Sequence, residues 1–283
     1  MSTPASDTFA DVQEQEHEQD ADRSRMSFLE HLDEFRRRLL YSVYALTATC
    51  AVTFYYWEPL YRYLAQYFAA QGGELIFSQP MAGFMFSLKA SALLGVIIAS
   101  PFIFTQIWLF IAPGLYAKEK RIVIPFVFFS TLLFVAGAYF GHAVGFPAMW
   151  KFFASYALIE VPGAAGAVVE TAGGATSGRP LVHFMPQLDI TFSFYVKVIL
   201  GLGVAFQMPM LVFFLARFGM VTAGFLARKF KYAVLIIIVA AAVITPSGDP
   251  VTLAVFSAPM LVLYLISIAV AWVFGKRQKK EDD

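Results

Sequence analysis

Long apolar runs interrupted by short polar or basic stretches divide the chain from about residue 39 onward. Six runs read as membrane-spanning helices: 39–57, 88–110, 122–146, 190–215, 232–245 and 251–274. Most are long enough for the roughly 20 apolar residues that a bilayer crossing needs. The fifth is short. Its 14 or so residues rise only about 21 Å, against a hydrocarbon core of about 30 Å. Before the first run, Phe28, Leu32, Phe35 and Leu39 recur at helical spacing. Ser27 with Glu30 three positions later has the form of a capping box, so the first helix is expected to start there. Residues 1–25 are polar and acidic and lack an apolar centre. They read as a disordered cytoplasmic tail, with residues 275–283 as a second tail.

The fold class predicted is therefore all-α: a polytopic membrane protein whose transmembrane domain spans 26–274. Proline falls inside the runs at Pro101, Pro125, Pro209 and Pro259. Each removes a backbone donor, which predicts kinked helices that together form a concave wall. The loop 58–87 contains YRYLAQYFAAQ, an aromatic stretch expected to lie as a helix at the membrane interface. The loop 147–189 contains the Gly/Ala-rich segment 163–178, expected to be mobile.

Charge sets the orientation. Of the 21 Lys and Arg residues, only Arg62, Lys151 and Arg179 fall in loops on one side, and Lys89 and Lys197 fall within runs. The remaining sixteen flank the runs on the other side, which predicts that both termini are cytoplasmic. The composition agrees with a chain solvated by lipid: 59% hydrophobic, 14% charged, mean hydropathy +0.65. The net charge of +1 carries no information about partners, since the charges are sorted by side.

Little catalytic chemistry is visible. HExxH, GxGD, GxSxG, a phosphate loop and a Cys/His ligand cluster are all missing from the sequence, so no metal, cofactor or enzymatic activity is expected. The lone Cys50 reads as a small packing residue, and His142 as a satisfied packing residue. For Lys89 and Lys197 the simplest reading is snorkelling to external headgroups. No carboxylate falls deep in a run, which weighs against a proton-coupled carrier. On the basic side, Asp33–Arg37 and Glu34–Arg38 are spaced i, i+4 and read first as salt bridges on a solvated helix. Glu119 in YAKEKR reads first as a solubilising loop residue.

Three motifs add to this. HLDEFRRRLL before the first run resembles the HLxELRxR motif of the TatC family, the multispanning component of twin-arginine protein translocases. FSLKASALLGVIIASPFIFTQIWLFIAPGLYAKEKR (86–121) is similar to that family's second-span block, and GVAFQMP (203–209) and TPSGD (245–249) match its fourth span and last external turn. The resemblance covers about 26–274. It implies a core subunit in the bacterial inner membrane that recognises the paired arginines of signal peptides on folded precursors. It further implies assembly with single-span TatA/TatB-type subunits, self-association in the receptor complex, and transport driven by the proton gradient; nucleic acid has no part. By position, Glu34 and Glu119 resemble the two acidic residues that receive the arginine pair, with Arg36, Gln106, Phe110 and Pro113 around the same face. Gln207, with Pro209 beside it, resembles the intramembrane polar site where partner subunits dock. A guanidinium matches a carboxylate edge through paired donors, whereas an ammonium does not. The alternative reading is a small-solute transporter with a broken helix at Gly201, Gly203, Gln207 and Pro209.

Overall fold

The computed structural model describes residues 5–71, 75–77, 79–111, 120–157, 186–245 and 249–275, with side chains from Glu30 onward in the first helix. Pro113, Glu119, the Gly/Ala-rich segment 163–178 and the tail 276–283 lie outside the described residues.

Among the described residues ten α-helices follow in order: α1 (Ala5–Tyr55), α2 (Trp57–Ala70), α3 (Ala82–Ile111), α4 (Lys120–Phe140), α5 (Phe146–Ala157), α6 (Leu188–Ala205), α7 (Met208–Arg217), α8 (Ala223–Arg228), α9 (Phe230–Ile244) and α10 (Pro250–Phe274). Four stretches of the described residues are long and apolar enough to cross a membrane: Ala82–Ile111, Ile124–Ser155, Leu188–Arg217 and Pro250–Phe274. α1 from Glu30 and α2 form a fifth candidate, a pair bent by 77°, and α9 is a shorter apolar helix. Less than half of each long span is buried inside the protein. Val243, Ile124 and Val204 are 79%, 72% and 65% exposed, a distribution stable only in an apolar solvent.

The helices differ from the sequence expectation in instructive ways. α1 runs from Ala5, through the segment read from the sequence as a tail, so Ser27 falls within the helix rather than at its start. The Ala, Glu and Gln residues upstream are good helix formers and extend a helix that is already nucleated. The third span continues past Pro147 to Ala157, where a loop was expected. A five-residue π turn, Gly141–Gly145, carries the helix to Phe146, and Pro147 then falls in a first turn, where it needs no amide partner. Phe146, Met149 and Trp150 are buried beyond the turn, so packing rather than propensity holds α5. Pro101, Pro125 and Pro259 lie inside continuous helices. Pro209 does break its helix. α6 ends at Ala205, α7 begins at Met208, and the Gln207 amide donates to the Val204 carbonyl at 2.9 Å in a tightened turn.

α3 is the central element, packed on α1, α2, α4 and α6. Its contact with α1 is a ladder of small polar groups. Thr49 Oγ1 donates to the Gly95 carbonyl at 3.0 Å and Thr53 Oγ1 to the Ser91 carbonyl at 2.8 Å, while Cys50 Sγ lies against Gly95. Small residues and interhelical hydrogen bonds are what hold helices together where lipid removes the hydrophobic drive. α4 crosses α6 in the same manner: a Cβ on Gly137 would stand 2.7 Å from the Leu202 carbonyl oxygen and 2.9 Å from Gly203 Cα. The largest core is aromatic. Phe68 of α2, Phe86 of α3, Phe146, Phe192 and Tyr195 meet beneath the elbow that α2 makes with α1. His142 closes this core, with Nδ1 2.8 Å from the Tyr195 hydroxyl and its ring stacked on Tyr67 at 4.1 Å.

Candidate functional site

At the opposite end from that aromatic core, α1 meets the last turn of α3. The His31 ring stacks on Phe110 at 4.5 Å and 18°, and Phe35, one turn on, tilts against the same ring at 5.3 Å. Two segments separated by 75 positions are thereby joined. Gln106 stands one turn before Phe110 on α3 and is half-buried, whereas Arg36 is exposed on another face of α1.

Glu34 sits beside this aromatic step. Its carboxylate accepts Nε of Arg38 at 2.9 Å and Nη2 of the same residue, both on Oε1. Among the described residues no donor falls on Oε2, and the Glu34 side chain is 30% exposed. The spacing-based pair Glu34–Arg38 therefore forms. Asp33 and Arg37 do not pair; the Arg37 guanidinium lies over the Tyr41 ring at 6.0 Å instead. Glu30, Asp33, Glu34, Arg37, Arg38 and Tyr41 line an open cleft of about 400 Å³. Three carboxylates thus face two guanidinium groups, and among the described residues the one ion pair there is Glu34–Arg38, through a single carboxylate oxygen. Chemically, such a cleft accepts a cation that can present paired N–H donors.

Gln207 lies elsewhere, at the break between α6 and α7. Its Nε2 donates to the Ser130 carbonyl at 3.0 Å, and Ser130 Oγ accepts Nε1 of buried Trp108 at 2.9 Å. Gln207 also borders a membrane-facing groove of about 800 Å³ lined by α6, α7, α9 and α10, whose other residues are almost wholly apolar. Pro209 is buried at the start of α7.

Sequence reasoning missed His31 and Ser130. His31 lies one turn before Phe35, the signal that could have found it. Ser130 carries none, because nothing in the local pattern marks which serine meets Trp108. No signal in the sequence marked the partners of Lys89, whose ammonium is held by Asp189 and donates to Ser193 Oγ at 2.8 Å. No group of three or more His, Cys, Asp or Glu among the described residues is placed to hold a metal.

Comparison with known proteins settles the family. The model of the Sec-independent protein translocase protein (TatC) family matches residues 30–259. The chain belongs to the TatC family. It is 36% identical over 262 residues to the TatC protein of Koribacter versatilis, covering 90% of this chain and 89% of that one. To the TatC protein of Helicobacter pylori strain 26695 it is 34% identical over 253 residues, covering 89% and 90%. The fold is similar to the crystal structure of a twin-arginine translocase receptor, TatC, with a TM-score of 0.70, 32% identity, and coverage of 85% and 97%. As a TatC family member the chain is a multi-pass protein of the bacterial inner membrane and a subunit of a twin-arginine protein translocase, not an enzyme. It works in a complex with other Tat subunits. The alternative of a small-solute transporter gains no support from these matches.

Proposed function

We propose that this subunit is the receptor for the paired arginines of a signal peptide, and that Glu34 and Glu119 each take one guanidinium. The observation that carries the reading is the Glu34 carboxylate, half-buried, open on one oxygen and set beside the Phe110 step. Glu119 falls between the end of α3, which bears Phe110, and the start of α4. The family resemblance supplies the second acidic position and assigns Arg36, Gln106 and Pro113 to the same site.

Charged hydrogen bonds contribute roughly 1.5–3 kcal/mol each, less in an exposed site. Two select a signal without holding it alone, so the apolar part of the peptide adds burial against Phe110 and Phe35. A fluorescent signal peptide with Arg-Arg should bind the detergent-solubilised protein at least about tenfold more tightly than its Lys-Lys version. Equal affinities would remove the two-carboxylate reading.

In this proposal six spans place both termini in the cytoplasm. The bent pair α1–α2 and the short α9 count as the first and fifth. The groove beside Gln207 takes the single-span partner subunits, copies of the receptor associate with one another, and the proton gradient drives transport. α9 holds 15 residues, a rise of about 22 Å, well short of the hydrocarbon core. The bilayer against it is thinned, and the partners assemble at that concave wall to breach it. Inserting four leucines into α9 should impair transport of a folded precursor into membrane vesicles while leaving peptide binding intact. Unimpaired transport would show that the length of α9 has no such role.

A further inference from the structure

We infer that the elbow between α1 and α2 is a binding site for a phospholipid whose headgroup joins a phosphate to a primary ammonium. This does not rest on the signal-peptide reading, since it concerns the other end of the molecule and different residues.

The 77° turn at Tyr56 lays α2 across the ends of α1 and α3 and leaves a cavity of about 690 Å³ beneath it. That volume is in the range of sites that take small organic ligands. Phe54 and Phe84 form the floor, their rings edge to face at 6.3 Å. Trp57 and Tyr61, also edge to face at 6.3 Å, form the wall, and such rings favour the level of lipid headgroups. The apolar depth suits an acyl chain.

The mouth decides which headgroup. Among the described residues, Glu58 and Arg62 are the two charged ones lining the cavity, and they stand one helical turn apart with side chains 59% and 72% exposed. Their own contact is a surface i, i+4 pair, which costs little to exchange. A headgroup bearing both signs replaces it pole for pole: phosphate on the Arg62 guanidinium, ammonium on the Glu58 carboxylate. An anionic glycerol headgroup would satisfy Arg62 and set its remaining hydroxyls against an unneutralised Glu58. A trimethylated ammonium has the charge but no N–H to donate to the carboxylate. The primary amine is the headgroup that satisfies both residues.

The test uses the full chain carrying photoreactive benzoylphenylalanine in place of Phe84, in bilayers of equimolar phosphatidylethanolamine, phosphatidylglycerol and phosphatidylcholine with matched chains. After illumination, phosphatidylethanolamine should be enriched about threefold in the adducts over each competitor, the size expected for exposed charged contacts. A reporter at Phe128, exposed on α4, should return the bulk ratio. E58Q should abolish the preference for the primary amine over choline, and R62Q should reduce capture of all three lipids. The unsubstituted chain, weighed with its retained lipids by native mass spectrometry, should show the same preference and lose it in E58Q. Equal shares at position 84, a majority of phosphatidylglycerol, or an adduct to a second copy of the chain would each overturn the assignment.

Discussion

Replacing Glu34 with lysine should reduce the affinity for an Arg-Arg signal peptide by well over tenfold. One charge-assisted contact is lost, worth about 1.5–3 kcal/mol before screening, and a repelling charge is set in its place. Arg38 provides the control. It occupies Oε1 of Glu34 through both its Nε and Nη2 in the free protein, so an incoming guanidinium competes with it for the carboxylate. R38Q should therefore leave binding unchanged or tighten it, while E34Q, with nearly the same side-chain shape, should weaken it. Titration of a fluorescent peptide monitored by anisotropy gives all three affinities. Loss of binding in R38Q equal to that in E34Q would mean that the pair acts as a structural brace rather than a receptor, and the proposed role of Glu34 would fall.

The second large effect concerns folding. Gly137→Ala should lower stability by about 1–3 kcal/mol, and Gly137→Leu should prevent the chain from being recovered folded. The added Cβ meets the Leu202 carbonyl oxygen at 2.7 Å, the Phe206 ring at 2.8 Å and Gly203 Cα at 2.9 Å. Two of these are backbone atoms of a packed helix and cannot swing away, so α4 and α6 must separate. The hydrogen bond from Gln207 to Ser130, a short way along the same crossing, would be strained with them. Gly224→Ala on the exposed α8 is the contrast. Its Cβ would have nothing nearer than the Arg228 guanidinium at 3.8 Å, and the change should be neutral or slightly stabilising. Denaturation in detergent, monitored by circular dichroism, separates the two. A Gly137→Ala protein as stable as the parent would show that the helices yield at this crossing.

The apolar runs were legible because lipid admits so few alternatives. A segment solvated by hydrocarbon must be helical and long, so α6 with α7, α9 and α10 lie within about two residues of where hydropathy put them, and α3 begins six residues earlier. The helix α2 was legible in its aromatic, amphipathic pattern. Pro147 misled, because a proline after an apolar run reads as a stop, while tertiary packing of Trp150 and Met149 carried the helix onward. Ser27 and Glu30 misled in the same way, a local capping signal overridden by a helix already running. The ion pair of Lys89 with Asp189 joins positions 100 apart, and no local pattern reports a partner at that distance. The same limit applies to the candidate site. Residues 34 and 110 were placed on one face only through a resemblance, and no local pattern reports the ring contacts of Phe110 with His31 and Phe35.

The π turn at Gly141–Gly145 sets the phase of everything after it. Each residue of an α-helix advances the chain by about 100°, and a π turn accommodates one residue more than an α turn. Wound as a regular α-helix with no residue removed, the same stretch would carry the downstream face round by about a quarter of a revolution. Phe146 and Trp150 would then look into lipid, and Lys151 would be carried toward the aromatic core. The irregularity is thus a phase correction: it reconciles a glycine-lined upper face that must lie close to α6 with a lower face whose bulky rings must fill the space beneath α2.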